Sequence, residues 1–323
     1  PRRAGEAGPA SVLLVMHGHP RDAGRSFAAG LAAARGAGRG ADTLVVAPLF
    51  QVPADASARC STPGTPPAEP GDALWTCASW LDGRESQGPH PISSFAALDA
   101  LLADLAARWP SLRQATVAGF SAGAQMLQHR IAFAAPPPAG WQLRYVIADP
   151  GSWLYFDPVR PRPVRDGSTG AGQAEWAACT GAPPLGTLAA GCRWEMAQPA
   201  DSAACPAYDH WKYGTQQRPA PLDRPDAAAL RARYAAADIH VLEGSLDSAP
   251  GRGTAYRVLD TSCGAQLQGP FRLQRGLDDA AYEQAVLRPT GARSFTVVPG
   301  CAHDVACVLP SPSARAALFG LPR

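Results

Sequence analysis

Ala115-Thr116-Val117-Ala118-Gly119-Phe120-Ser121-Ala122-Gly123-Ala124-Gln125-Met126-Leu127-Gln128-His129-Arg130-Ile131-Ala132-Phe133 is the stretch that decides the fold. Residues 115–118 are short, apolar and β-prone. Residues 124–133 are good helix formers and stop short of Pro136-Pro137-Pro138. Between them lies a G-x-S-x-G pattern centred on Ser121. A serine on a sharp strand-to-helix turn has its hydroxyl pushed out above a sheet, and the crowded backbone needs tiny residues two before and two after it. The same turn puts the serine at a helix N-terminus, where free N–H groups favour negative charge. These are the requirements of a nucleophile whose reaction passes through an oxyanion.

For such a serine the acid and then the base follow in the chain, each just after a later strand. Ile239-His240-Val241-Leu242-Glu243 reads as a short buried strand, and the polar turn Gly244-Ser245-Leu246-Asp247-Ser248 follows it. Asp247 is therefore the expected acid, holding the base in one tautomer and stabilising its cation. An ordinary turn aspartate would look the same. Asp149, after the strand 144–148, is its main rival, and Glu243 lies inside its own strand. Ser294-Phe295-Thr296-Val297-Val298 is the last clear strand, and Pro299-Gly300-Cys301-Ala302-His303 leaves it. His303 is the expected general base. His240 falls within a strand, His129 within a helix, and His90 and His210 in Pro- or aromatic-rich loops.

The oxyanion needs a second donor from the loop after an early strand. Ser11-Val12-Leu13-Leu14-Val15-Met16 is that strand, and His17-Gly18-His19-Pro20 is its loop. The N–H groups of His19 and Ala122 are the expected pair. Two histidines so close also raise a metal reading, but neither H-E-x-x-H nor C-x-x-C is present, and no metal is expected.

The whole chain alternates strand and helix: strand 11–16, helix 25–35, strand 43–47, helix 95–108, strand 115–119, the helix after Ser121 and strand 143–148. A helix near 226–236, strand 239–243, a helix near 278–287, strand 294–298 and a helix near 312–319 complete it. This predicts an α/β fold with a mostly parallel central sheet covered by helices on both faces. Ligands then bind at the carboxyl ends of the strands, where Ser121, Asp247 and His303 all fall. At 323 residues one domain, 1–323, suffices.

Taken together, the His17-Gly18 loop, Gly119 to Gly123, Asp247 and His303 resemble the α/β-hydrolase family over nearly the whole chain. Within it, Gly119-Phe120-Ser121-Ala122-Gly123-Ala124 is similar to the nucleophile box of secreted esterases grouped with polyhydroxybutyrate depolymerases and feruloyl esterases. Those relatives often carry Cys-Thr-Gln after His-Gly, where this chain has His19-Pro20-Arg21. The resemblance implies serine esterase chemistry without a cofactor and leaves the substrate open.

The region from about 150 to 225 interrupts the alternation. It is long for a connection and carries Trp153, Tyr155, Phe156, Trp176, Trp194, Tyr208, Trp211 and Tyr213 with three cysteines. It reads as a disulfide-pinned, cap-like insertion beside the active site, with aromatic walls for a substrate cleft, or equally as a small satellite core. His17, Trp153, Tyr155 and Trp211 are the expected substrate contacts. Loop 51–93, with Trp75 and Trp80, is a second candidate wall.

The chain has 46% hydrophobic residues and a net charge of +2, and Lys212 is its one lysine. It has no long basic run, so nucleic acid is not an expected partner, and no run of about 18 apolar residues to cross a membrane. Its eight cysteines are scattered, which suits disulfides and an oxidising compartment. The pairing expected among many is Cys60–Cys77, Cys179–Cys192, Cys205–Cys263 and Cys301–Cys307, the last clamping the His303 loop. The start at Pro1-Arg2-Arg3 suggests loss of a signal peptide and a secreted or periplasmic protein. The expected partner is a small-molecule or polymeric ester: a polyhydroxyalkanoate-like polyester or an aryl or cell-wall ester. An amide-cleaving enzyme of the same fold, such as a peptidase or poly(aspartic acid) hydrolase, and a catalytically silent binding module are the alternatives. Oligomeric state is not legible.

Overall fold

The computed structural model describes residues 8–168, 173–181 and 186–321, so the Pro1-Arg2-Arg3 start and parts of the 150–225 region lie outside the described residues. The strands are β1 (Ser11–Met16), β2 (Thr43–Val46), β3 (Gln114–Phe120), β4 (Gln142–Ala148), β5 (Arg160–Arg165), β6 (Cys192–Ala197), β7 (Asp238–Gly244) and β8 (Arg293–Val298). The helices are α1 (Ala23–Gly36), α2 (Ala54–Cys60), α3 (Ser94–Arg108), α4 (Ala122–Ile131), α5 (Gln173–Thr180), α6 (Ala227–Ala236), α7 (Cys263–Gln266), α8 (Arg272–Tyr282), α9 (Val305–Val308) and α10 (Arg315–Phe319).

Six strands form one sheet in the order β2-β1-β3-β4-β7-β8, and every neighbouring pair is parallel. Parallel strands need covered faces, and the period-2 alternation of side chains supplies two cores. Val12, Leu14 and Met16 of β1 join Val117 of β3, Ile147 of β4 and Val241 of β7 under α3 and α4. Leu13 and Val15 point the other way, with Ala118, Val146 and Leu242, against Ala29 and Ala33 of α1, Val305 and Val308 of α9 and Ala317 of α10. Helix α3 shows why such segments fold as helices: Phe95, Leu98, Leu102 and Leu105 are buried at helical spacing, and the hydroxyl of Ser93 caps its first turn by accepting from the N–H of Ala96 at 3.1 Å.

From β1 the chain steps to β2 on one side, then crosses back to place β3 on the other. The loops leaving β1 and β3 therefore diverge at their carboxyl ends, which opens a crevice there. Register sets Met16 beside Gly119, so the His17-Gly18 loop and Ser121 emerge side by side.

Helix α2 lies within the expected loop 51–93, α7 was not expected, and helix α8 and the 150–225 region differ from the expectation. Helix α8 starts at Arg272, ahead of the expected 278. Leu273, Leu277 and Ala281 recur at helical spacing, but Arg272, Gln274, Arg275, Asp278 and Asp279 are buried too, so the polar face of the helix is packed inside the protein. Within 150–225 the chain forms an antiparallel ribbon, β5 with β6, and carries helix α5. Pro161 and Pro163 hide the strand in the sequence. They stand two apart, so both missing N–H groups fall on one edge, and a two-stranded ribbon leaves one edge free.

The four disulfides are Cys60–Cys77, Cys179–Cys192, Cys205–Cys263 and Cys301–Cys307, the pairs expected from sequence. Cys205–Cys263 spans 58 residues and ties the insertion to α7, whereas Cys301–Cys307 spans 6. Chain-entropy reasoning makes the longer loop worth about 4 kcal/mol and the shorter about 2 kcal/mol. Replacing both cysteines of the first pair by serine should lower the denaturation midpoint clearly more than doing so for the second. Equal losses, measured by chemical denaturation, would contradict this.

Candidate active site

Ser121 sits between β3 and α4 with φ 57° and ψ −121°, a left-handed conformation that costs energy for any residue with a Cβ. Its N–H donates to the carbonyl of Ala148 at 2.9 Å, and its carbonyl accepts the N–H of Gln125 at 3.0 Å. The flanking glycines meet real constraints. A methyl group at Gly119 would lie 2.6 Å from the backbone nitrogen of Ala124, and one at Gly123 would lie 2.5 Å from the carbonyl oxygen of His17. Helix α4 thus begins in direct contact with the end of β1, and a methyl at Gly18 would stand 3.6 Å from the Cβ of Ser121.

Across the strand ends, the Ser121 hydroxyl donates to Nε2 of His303 at 2.8 Å, and Nδ1–H of His303 donates to Oδ2 of Asp247 at 2.7 Å. The structure therefore brings together the three residues expected from sequence. Asp247 follows β7, and His303 lies in the loop after β8, with its backbone N–H bonded to the carbonyl of Gly253 at 3.0 Å and the Cys301–Cys307 bridge around it. The His303 ring rests on Phe120 at 4.7 Å between centroids. Its burial lowers its pKa below 6.5, although the hydrogen bond to Asp247 pulls the other way. Ser121 keeps part of its surface exposed.

Asp149 is not the hydrogen-bond partner of His303. Its backbone has φ 48°, and Oδ1 accepts the N–H of Gly244 at 2.7 Å. Carboxyl oxygens of Asp149 and Asp247 and a ring nitrogen of His303 nevertheless all lie within 4.8 Å of one another. Glu243, also fully buried, faces Asp149, and burial raises both carboxyl pKa values.

The loop after β1 is held from below. His17 is fully buried, stacked edge-on to Trp80 at 4.7 Å. Its Nε2 accepts the N–H of Phe50 at 3.2 Å, so the proton is on Nδ1, which donates to the carbonyl of Gly18 at 2.8 Å. Burial pushes its pKa down to about 4, so the ring is neutral. The N–H of Gly18 donates to Oδ1 of Asp22 at 3.0 Å. His19 stays partly exposed at the tip, and Ala122 opens α4, where first-turn N–H groups have no partner inside the helix.

Three of the expected substrate contacts need correction. His17, Trp153 and Tyr155 have no accessible surface and cannot touch a substrate. Where the chain leaves β4 it runs through the core, and side-chain amides pair its backbone. Gln268 accepts the N–H of Trp153 at 2.9 Å and donates to its carbonyl at 2.8 Å; Gln128 does the same for Leu154 at 2.9 and 3.1 Å. The hydroxyl of Tyr155 donates to buried Asp278 at 2.7 Å. Trp80, in the second candidate wall, is also fully buried. Trp211 keeps some exposure, with its indole N–H on the carbonyl of Asp82 at 3.1 Å.

Sequence reading missed Arg272. This buried guanidinium reaches Oδ1 of Asp247 at 3.2 Å and the carbonyl of Thr254 at 2.7 Å, and so fixes the acid from the side opposite His303. Nothing local distinguishes it from the other arginines. Asp22 was also missed, though an aspartate four residues beyond Gly18 is a readable turn signal.

No family model matches the chain, and no curated protein matches its sequence. Solved structures do. The poly(3-hydroxybutyrate) depolymerase LpqC from Bordetella parapertussis superposes with a TM-score of 0.58 at 18% identity, over 99% of this chain and 84% of that one. Poly(aspartic acid) hydrolase-1 from Sphingomonas sp. KT-1 does so with a TM-score of 0.58 at 18% identity, over 97% and 89%. In fold, the chain is an α/β hydrolase.

Two outcomes are expected at this site. A base must be neutral to take a proton, and burial favours the neutral ring of His303, lowering its pKa from the ordinary 6.5. The steep acid limb of kcat/KM should therefore fall below pH 6.5; a limb above it would show that another group controls the base. Gly123→Ala forces a methyl against the His17 carbonyl and should slow active-site labelling by about tenfold or more, as a displacement near 1 Å does. Unchanged labelling would mean the turn relaxes freely.

Proposed function

We propose that this chain is a serine hydrolase of carboxylic esters. The observation that carries the reading is the unbroken hydrogen-bonded line from Ser121 through His303 to Asp247. His303 takes the proton of Ser121 as its oxygen attacks the ester carbonyl. The imidazolium that forms is held by Asp247. The N–H groups of His19 and Ala122 receive the oxyanion, where one donor is typically worth about 3–4 kcal/mol. His303 then protonates the leaving alcohol, and water, activated by the same ring, releases the acid from Ser121. No step needs a cofactor or a metal. The insertion from about 150 to 225 acts as the cap, and the exposed part of Trp211 is its aromatic contribution to the cleft.

Four disulfides support an oxidising compartment, and hence a secreted or periplasmic enzyme; no helix among the described residues is long and apolar enough to cross a membrane. A polyester of the hydroxyalkanoate kind, or an aryl or cell-wall ester, is the substrate class. One observation favours a second reading, amide cleavage: the likeness to the poly(aspartic acid) hydrolase equals that to the depolymerase. Turnover on matched ester and amide substrates separates the two.

A fluorophosphonate probe should label the protein, and Ser121→Ala should abolish labelling. An unlabelled native protein would leave only the silent binding module. Asp247→Asn should lower kcat by about 10⁴-fold, the cost of the wrong histidine tautomer. A near-native rate would move the acid role elsewhere.

A further inference from the structure

Behind Asp247 lies a second pair of acids that the proposed reaction does not use. Asp149 follows β4, whose last residue Ala148 pairs with Leu242, and Glu243 is the next residue of β7; both are fully buried, and their carboxyls are in hydrogen-bonding contact. Oδ1 of Asp149 is occupied by the N–H of Gly244. Its Oδ2 and both oxygens of Glu243 meet no N–H or hydroxyl donor among the described residues. Two carboxylates cannot hydrogen-bond without a proton between them, and two buried like charges in contact cannot both ionise.

We propose that Asp149 and Glu243 form a one-proton carboxyl pair, with Glu243 the donor and Asp149 the acceptor, whose single negative charge supports the imidazolium of His303 alongside Asp247. Asp149 is then a positioning residue: it lies within 4.8 Å of both Asp247 and His303 without taking the hydrogen bond. The inference rests on the hydrolase reading above.

The surrounding charges fit this role. Asp247 is already paired with Arg272, which draws its charge away from His303. Arg275, also on α8, acts on Asp247 from further off, and Asp22 acts weakly on His303 from the loop after β1. From α8, Gly276 packs against the Glu243 carboxyl, where any side chain would collide with it, and Arg272 acts on both Glu243 and Asp149 and favours their charged forms. Burial and the neighbouring Asp149 and Asp247 charges outweigh Arg272 at Glu243, which keeps its proton and points its hydrogen bond to Asp149.

When Asp149 takes up a proton the pair becomes neutral, His303 loses one of its acidic neighbours, and the cationic ring of the transition state is less stable. Burial and the charge of Asp247 push the Asp149 pKa up to about 7. The wild-type kcat profile should therefore show a shallow inflection near neutral pH, above the steep limb set by His303. In Asp149→Asn the upper inflection should vanish, and kcat on the alkaline plateau should fall about tenfold with KM unchanged. Independently, the infrared difference spectrum of the resting protein above neutral pH, wild type minus Glu243→Gln so that the other buried acids Asp278 and Asp279 cancel, should contain a carbonyl band of a protonated carboxylic acid.

A wild-type profile without the upper inflection, or an Asp149→Asn variant that retains native kcat, would overturn the proposal. So would a difference spectrum, wild type minus Glu243→Gln, that lacks the acid band. The infrared measurement needs no turnover and the wild-type profile needs no variant. A missing band thus defeats the carboxyl pair alone, whereas absent fluorophosphonate labelling defeats the hydrolase reading alone.

Discussion

The contact between Gly123 and the carbonyl of His17 is the constraint on which the rest of this structure depends. It lets the first turn of α4 settle on the end of β1, with room for no side chain between them. That closeness forces Ser121 into a left-handed backbone and lifts its hydroxyl above the sheet. It also brings the loop after β1 beside the serine, where its tip can face the same small volume as the start of α4. A methyl group at Gly123 would push the first turn of α4 off the end of β1, and the hydroxyl would lose its place relative to His303.

The strand ends also concentrate buried charge. Asp247, Arg272, Asp149, Glu243 and His303 meet in a region with almost no solvent contact. Charges there interact far more strongly than at a surface, and each must be matched. Arg272 offsets Asp247, and the hydrogen bond of Asp247 to His303 partly offsets the loss of basicity that burial imposes on the ring. Balance of this kind depends on side chains from β4, β7, α8 and the last loop arriving together. It cannot be assembled within any one of them.

The chain past β4 shows how burial can reverse a role expected from position. An aromatic run just beyond a strand's carboxyl end is well placed for substrate, yet residues 153–156 turn inward. A buried extended segment with no neighbouring strand must find partners for its backbone. Gln128 from α4 and Gln268 beyond α7 supply them, each bracketing one residue as a strand would. The tryptophan and tyrosine then fill the core, and only aromatics further along, such as Trp211, keep any surface.

The sequence by itself determined the α/β order, the two-faced sheet and the strand-end placement of Ser121, Asp247 and His303. These rest on local rules: short continuous apolar runs between helical segments, and tiny residues at a crowded turn; the cysteine pairing, one of many the sequence allows, was decided by the fold. The tertiary structure decided what depends on distant positions. It chose Asp247 over Asp149 as the partner of His303, brought in Arg272, hid β5 behind two prolines and buried Trp153 and Tyr155. Helix α8 was half legible because its first turn is buried yet polar, and the partners of those residues lie on other elements. A side chain's direction and its partner are properties of packing, and packing joins residues that the chain keeps more than a hundred positions apart.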